Sequence, residues 1–304
     1  MARIAVVGSL MMDLVVRAPR PALPGESLIG RSFATFVGGK GGNQAAAAAR
    51  LGASVAMVGA VGADPFGEAI LASLAADGID TAFVRRLEGE GTGVAVPVVF
   101  DDGSNLIYAL PRANLALAPA DVETARTVIE AADVLLVQFE VAPEATLAAL
   151  RIARAAGVRT ILNPAPIAPH PGEVFALADL LVPNEVEAAA LSGAAGEPVE
   201  AQAAALRALG PQDVIITLGE RGALIAIEAG LRPVPAPRVE AVDTVGAGDA
   251  FCGALAVRLA AGATLEEAAA YACRAAALAC TKPGAAASLP SFDEVEEFTR
   301  RLPA

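Results

Sequence analysis

The sequence predicts an α/β fold: a doubly wound, mostly parallel β-sheet flanked by helices, with a small β-sheet lid. Three observations lead there. Short β-branched runs alternate with alanine-rich helical stretches along most of the 304 residues, a pattern that lays strands side by side in parallel and packs helices over both faces. Gly52, Gly78 and Gly157 stand where helices should stop, just past a helix end, where a left-handed backbone suits glycine. Two stretches break the rhythm. DLVVRAPRPALPGESLIGRSFATFV (13–37) and the segment from 92 to 111 carry alternating runs outside any βα unit, the second folded about DDGS, a hairpin signal.

Taken in order, residues 4 to 7 read as a buried strand, followed after a glycine loop by a helix from Asn43 to Leu51. VAMVGAVG precedes the helix PFGEAILASLAADG, and DVLLVQ precedes PEATLAALRIARAAG. VRTILN, LLVPN and DVIITLG supply further strands, with the helix EVEAAALSG after the second. ALIAIEAGLRPV reads as a hairpin, and two long helices, 247–261 and 264–281, flank Gly262. FDEVEEFTRR reads as a solvated closing helix with opposite charges at helical spacing. At this length residues 1–304 are expected to form a single domain, since single cores stop growing near ~250–300 residues.

Composition narrows the function. Apolar residues make up 55% of the chain, yet no run of about 18 uncharged apolar residues occurs, so no membrane span is expected. The opening MARIAVVGSLMMDLVV is interrupted by Asp13 and lacks a cleavage signal, which argues against a secretory leader. A net charge of −12, with one histidine and no tryptophan, argues against a nucleic-acid surface. Cys252, Cys273 and Cys280 cannot all pair and show no CxxC spacing, so a reducing cytoplasmic setting fits, with the cysteines as small core residues. His170 lies in a proline-rich loop and reads as non-catalytic.

Ligands of open parallel sheets bind outside the carboxyl ends of the strands. Polar residues interrupt the apolar runs there: Glu140, Asn163, Asn184, and Thr217 with Leu218 and Gly219. One such residue reads as an ordinary turn; four ends in agreement argue for a site. GGKGGNQAAAAARLG (38–52) is a glycine loop opening a helix, whose glycines permit positive φ and close approach of backbone N–H groups, with Asn43 as the expected N-cap. It is not a P-loop, because Lys40 is followed by Gly41 rather than Ser or Thr. DTVGAGDAF (243–251) is a second glycine turn at a helix mouth. Free N–H groups and the positive end of the helix dipole let Gly246, Ala247 and Gly248 cradle an anion without a basic side chain. Asp249 beside that anion is unfavourable unless it takes a proton during a reaction; alone, it reads as a first-turn acid.

Together, GGKGGNQA and DTVGAGDAF, supported by NPAP (163–166), PNEVEA (183–188), TLGERG (217–222) and TKPGAAAS (281–288), resemble the PfkB-type carbohydrate kinases over essentially the whole chain. The resemblance implies a ribokinase-like α/β domain with a β lid that phosphorylates a sugar from MgATP. It points to the primary hydroxyl of D-ribose as acceptor and to homodimers paired through the lid. It implies sugar contacts from Asp13, Gly39, Lys40, Gly41, Gly42, Asn43, Glu140 and Asp249, with Asp249 as base. It assigns Asn184, Glu187, Thr217, Gly219, Glu220, Arg221, Gly222, Gly248 and Cys273 to the nucleotide side, with Glu187 near Mg²⁺ and its waters. A potassium ion is implied at Asp243, Val245, Ala279, Lys282, Gly284 and Ser288, mostly through backbone carbonyls.

Two departures bear on specificity. GSLMMD places Met11 where the family usually carries an asparagine beside the sugar, and a thioether cannot replace an amide's hydrogen bonds. Another sugar or a nucleoside (deoxyribose, fructose, ketodeoxygluconate, adenosine or pseudouridine) is therefore the rival acceptor. PRAN (111–114) puts Arg112 where glycine is usual, with a solvated surface charge as its plain reading. From other classes, a non-catalytic sugar-binding protein is opposed by the intact Asp249 turn. An NAD-dependent oxidoreductase is opposed by Phe251, which stands where a dinucleotide fingerprint needs a small residue.

Overall fold

The computed structural model describes residues 1–302. The chain runs through β1 (Arg3–Val7), β2 (Met11–Ala18), β3 (Ser32–Gly38) and α1 (Lys40–Arg50). Then come β4 (Ser54–Gly62), α2 (Pro65–Ala76), β5 (Asp80–Leu87), β6 (Gly93–Phe100) and β7 (Asn105–Leu110). α3 (Pro119–Thr124) and α4 (Arg126–Glu130) lead to β8 (Val134–Gln138), α5 (Pro143–Ala156), β9 (Arg159–Asn163) and α6 (Glu173–Leu177). β10 (Leu180–Leu181), α7 (Glu185–Ser192), α8 (Val199–Arg207), β11 (Asp213–Thr217), β12 (Ala223–Ile227) and β13 (Gly230–Val234) follow. α9 (Ala247–Ala260), α10 (Leu265–Ala279) and α11 (Phe292–Arg301) close the fold.

Nine strands form one sheet in the order β13-β12-β11-β10-β9-β8-β1-β4-β5. It is parallel from β5 to β11; β12 alone runs against the rest, pairing antiparallel with β11 and with its hairpin partner β13. Its inner strands are buried on both faces, which explains their nearly unbroken apolar sequences, while the edge strands β5 and β13 are half-buried or exposed along most of their length. Ile4 and Val6 pack into the core beneath α1, α9 and α10, while Ala5 and Val7 pack into the opposite core with α5 and α8. This is the period-2 alternation of a strand. Gly52, Gly78 and Gly157 all take positive φ just past α1, α2 and α5, as the helix-stop reading expects. Among the described residues, no helix is long and apolar enough to cross a membrane.

A second sheet, in the order β3-β2-β6-β7, stands apart. The two segments by which the chain enters it, before β2 and before β6, are fastened by side chains. Asn114 clamps Leu10 just before β2, accepting from its N–H at 2.8 Å and donating to its carbonyl at 2.9 Å. Asp64 accepts from the Thr92 N–H at 2.8 Å and from its hydroxyl at 2.6 Å, just before β6. Arg112 is not a free surface charge. Its guanidinium donates to the Thr92 carbonyl at 3.1 Å and lies over Gly91, and its backbone has φ 47°, the left-handed region that glycine would occupy without strain.

The start of α1 differs from expectation. The helix begins at Lys40, with Gly39 at the N-cap position (φ 86°), and Asn43 lies buried inside it. Packing explains the shift. A Cβ on Gly41 would stand 2.6 Å from the Gly8 carbonyl carbon and the Ser9 nitrogen, so glycine lets the first turn lie directly against the end of β1.

Candidate active site

The site forms where α1 and α9 meet over the carboxyl ends of the strands. Their contact is close because small residues face each other: a Cβ added at Gly253 would lie 2.6 Å from Ala47 Cβ and 3.0 Å from the Gln44 carbonyl oxygen. Asp249 is one turn before Gly253 on the same face of α9, so α1 presents two side-chain amides to it. Asn43 Nδ2 donates to Asp249 Oδ2 at 2.9 Å and Gln44 Nε2 donates to Oδ1 at 3.1 Å. The carboxylate is only 7% exposed, and two neutral donors hold its plane.

Four further ionisable side chains surround it. Asp13, on β2, is pushed up to about 6 by burial and by the charges of Glu140 and Asp249. Burial likewise raises Glu140, partly opposed by Lys40 and by hydrogen bonds from the Ser9 hydroxyl and the Lys40 N–H (3.0 Å). Burial also raises Glu187, which Lys40 and Asp249 face. Burial lowers Lys40, but the carboxylates of Asp249, Glu140 and Glu187 outweigh it and leave the ammonium above its ordinary value. One lysine thus serves several acids, and the fold brings Asp13, Lys40, Glu140, Glu187 and Asp249 together from five separate segments.

The two glycine turns behave differently. In the first, the amides are occupied by the protein: Lys40 N–H goes to Glu140, Gly41 N–H to Ser9 Oγ at 3.4 Å, Gly42 N–H to the Ser9 carbonyl at 2.9 Å, and Asn43 N–H to the Gly39 carbonyl at 2.9 Å. Only Gly39 in that loop has positive φ. The expected open row of N–H groups is therefore absent there, and what Lys40 and Asn43 offer a ligand are side chains. Buried Asn43 Oδ1 has no partner among the described residues. In the second turn, Gly246 has φ 82°, and among the described residues no acceptor takes the N–H of Gly248 or Asp249. No atom lies within 4 Å of the space above Gly248. This turn is an open donor cradle, directly beside Asp249.

Behind the cradle, Asp243 ties two loops together. Its Oδ1 accepts from Val245 N–H at 3.0 Å and its Oδ2 from Gly284 N–H at 2.9 Å, and Gly246 packs on Ala285. Ser288 is fully buried and donates to the Ala285 carbonyl at 2.9 Å. Ala279 ends α10, its carbonyl taking the Lys282 N–H at 3.2 Å. The Lys282 ammonium is paired with Glu294, so only its backbone faces this loop. Among the described residues no cluster of three or more His, Cys, Asp or Glu side chains that could hold a metal ion occurs.

On the other flank, Asn184 and Glu187 cap α7 reciprocally, at 2.9 and 2.8 Å. Asn184 bridges to Thr217, which precedes the turn Gly219–Arg221. Gly222 (φ 94°) is required by packing, since a Cβ there would sit 2.0 Å from the Val234 carbonyl oxygen. Glu220 is exposed, and Arg221 pairs with Glu185. The Cys273 side chain lies in the apolar core on the α1, α9 and α10 side of the sheet, where burial raises the thiol. His170 stacks on Phe139 with ring centroids 3.5 Å apart and stays outside the carboxylate cluster.

Sequence reasoning missed Ser9, Gln44 and Gln138. Ser9 reaches Glu140 across 131 positions and Gln138 reaches Gln44 across 94; no local pattern announces such pairings. The one available signal for Gln44 and Gln138 was an amide embedded in an otherwise apolar segment.

The comparisons with known proteins agree with this geometry. The family model described as pfkB family carbohydrate kinase matches residues 1–291. The chain is 40% identical to a ribokinase of Bacillus subtilis over 300 residues, covering 98% of this chain and 99% of the relative. It is 36% identical to a deoxyribokinase of Salmonella typhi over 299 residues, covering 97% and 98%. A solved ribokinase of Arabidopsis thaliana, complexed with ribose and ATP, superposes with a TM-score of 0.91 at 31% identity, covering 99% of this chain and 100% of that one. With the mostly parallel nine-stranded sheet, the separate lid sheet and the DTVGAGDAF turn all in place, the chain belongs to the pfkB family of carbohydrate kinases.

Proposed function

We propose that this protein transfers the γ-phosphoryl group of ATP to the primary hydroxyl of D-ribose, giving ribose 5-phosphate, with Asp249 as the base. The observation that carries this reading is the juxtaposition at the mouth of α9: an open cradle of N–H groups and a carboxylate gripped by Asn43 and Gln44. Asp13, Lys40, Asn43 and Glu140 line the acceptor side, consistent with a polyhydroxylated ligand. The names of the Bacillus subtilis and Arabidopsis thaliana relatives support ribose and ATP.

A free carboxylate has a pKa near ~3.9, too low to ionise an alcohol beforehand. The proton therefore moves to Asp249 late, as the sugar oxygen bonds to phosphorus and the bond to the ADP oxygen breaks. Positioning and charge stabilisation dominate such a loose transition state. The N–H groups of Gly248 and Asp249, free among the described residues, stabilise the equatorial oxygens, whereas the Ala247 N–H is given to the Thr244 carbonyl at 3.3 Å. Asn184, Thr217, Gly219, Glu220, Arg221 and Gly222 form the nucleotide side, and Glu187, its second carboxylate oxygen unpaired, is the residue suited to magnesium and its waters. Magnesium, when bound, neutralises phosphate charge. We assign the loop of Asp243, Val245, Ala279, Lys282, Gly284 and Ser288 to potassium, supported by the way Asp243 ties Val245 and Gly284 together behind the cradle. Residues 1–304 act as one kinase domain, with the separate sheet as lid. Homodimerisation through that lid is supported by the exposed apolar side chains Phe33, Phe36, Ile107 and Tyr108, and a cytoplasmic setting by three free cysteines.

Met11 favours a second reading, in which the preferred acceptor lacks a hydroxyl, as in deoxyribose. Met11 is buried at the start of β2, two residues before Asp13, and carries no amide. ATP consumption measured over ribose, deoxyribose, fructose, ketodeoxygluconate, adenosine and pseudouridine, with and without potassium, decides between them. Ribose as the best substrate supports the first reading; a higher kcat/KM for deoxyribose supports the second. Sugar binding without ATP consumption by any of them overturns both.

A further inference from the structure

We propose that Gln44 is the positioning residue for the base, its donor aimed at Asp249 by a directed chain of side-chain amides that starts at the Val182 carbonyl. The inference rests on the reading of Asp249 as base. The Val182 oxygen can only accept, so the Asn163 nitrogen, at 2.8 Å, is the donor there and Asn163 Oδ1 is left as an acceptor. Gln44 Nε2, 3.1 Å from that oxygen, donates one proton to it and the other to Asp249 Oδ1, also at 3.1 Å. Gln44 Oε1 then accepts from Gln138 Nε2 at 2.7 Å. A backbone carbonyl at one end and a carboxylate at the other fix the direction of each amide between them. A reversed Gln44 would aim its oxygen at both a carboxylate and the Asn163 oxygen.

Gln44 and Gln138 are fully buried and Asn163 nearly so, so water cannot substitute for a lost partner. The neutrality of the donor has a chemical consequence. Asp13 from β2, Lys40 from α1, Glu140 from the segment after β8, Glu187 from α7 and Cys252 from α9 all face Asp249. A second cation here would favour the ionised carboxylate so strongly that it would accept a proton poorly. An amide orients the oxygen without adding charge. The chain also links two halves of the site, because Val182 lies two residues before Asn184, the cap of α7. The elements that carry the nucleotide side and the direction of the base are thereby joined.

The test uses the full-length Gln44→Leu, Gln44→Glu, Gln138→Met and Asp249→Asn proteins, with kcat and KM for ribose and ATP measured from pH 5 to 9 beside thermal unfolding. Gln44→Leu is expected to lose about 10- to 100-fold in kcat, with the sugar KM changed less than about 3-fold. The acid limb of its kcat profile should move to higher pH, because the ionised base has lost a hydrogen-bond donor. Gln44→Glu keeps the shape but has at most one proton where the amide donates two, so it cannot serve both Asn163 and Asp249 and should be impaired as well; a space-filling role would leave it active. Gln138→Met should show a few-fold loss in the same direction, and it decides by the same readouts should the Gln44 proteins not fold. Wild-type kcat and an unmoved acid limb in Gln44→Glu and Gln138→Met, with Asp249→Asn inactive, overturn the positioning role alone. An active Asp249→Asn protein overturns the base assignment itself.

Discussion

Gly253 of α9 lies so close to Ala47 of α1 that an added Cβ would stand 2.6 Å from the alanine's own. That approach lets Asn43 and Gln44 span the gap to Asp249, so one missing methyl group is a condition of the site's geometry. Gly253→Ala gains helix propensity, worth about 1 kcal/mol. It also forces a close-packed interface apart, at about 1–3 kcal/mol. The expected net effect is a destabilisation of about 1 kcal/mol, read as a lower unfolding midpoint. A drop in kcat of about 10-fold or more should accompany it as the amides withdraw from the carboxylate.

Asp13 ties stability to pH. Its pKa is raised to about 6 by burial and by Glu140 and Asp249, so the folded chain binds this proton more tightly than the unfolded one. Its favourable contribution is complete below the unfolded value near ~3.9 and is lost as pH rises through 6. Above that, ionised Asp13 costs about 2–3 kcal/mol relative to a neutral isostere. Asp13→Asn is therefore expected to unfold at higher temperature than the wild type at pH 8 and to show little or no such gain at pH 4. It should bind ribose at least about 10-fold more weakly, which isothermal titration measures.

Arg112 permits strain and contact to be separated. Arg112→Gly and Arg112→Ala both lose the bond to the Thr92 carbonyl and the cover over Gly91, but only alanine keeps a side chain at φ 47°. Alanine is expected to be the less stable by about 1 kcal/mol, measured by urea unfolding of both proteins. Equal stabilities would mean that the backbone relaxes out of the left-handed region.

Much of this architecture was legible because it is written in local pattern. The strands of the main sheet, the helix stops at Gly52, Gly78 and Gly157, the β12–β13 hairpin and the separate lid strands follow from hydrophobic period and turn chemistry. So does the exposed turn at Gly246, whose flanking acid and apolar helix are adjacent in sequence. What escaped was set by tertiary contact. Asn43 looks like an N-cap because it follows two glycines, yet α1 begins at Lys40, since Gly41 can press against Gly8. The first glycine loop looks like an open cradle, yet Ser9 and Glu140 fill it from β-strand ends distant in sequence.

The most direct measurement concerns Asp249→Asn, which keeps the shape of the side chain and removes the proton acceptor. This variant should lose about 10²- to 10⁴-fold in kcat while binding ribose within about 3-fold of the wild type. Turnover within about 2-fold of the wild type would contradict the account, because the phosphoryl cradle would then work without the carboxylate that α1 holds beside it.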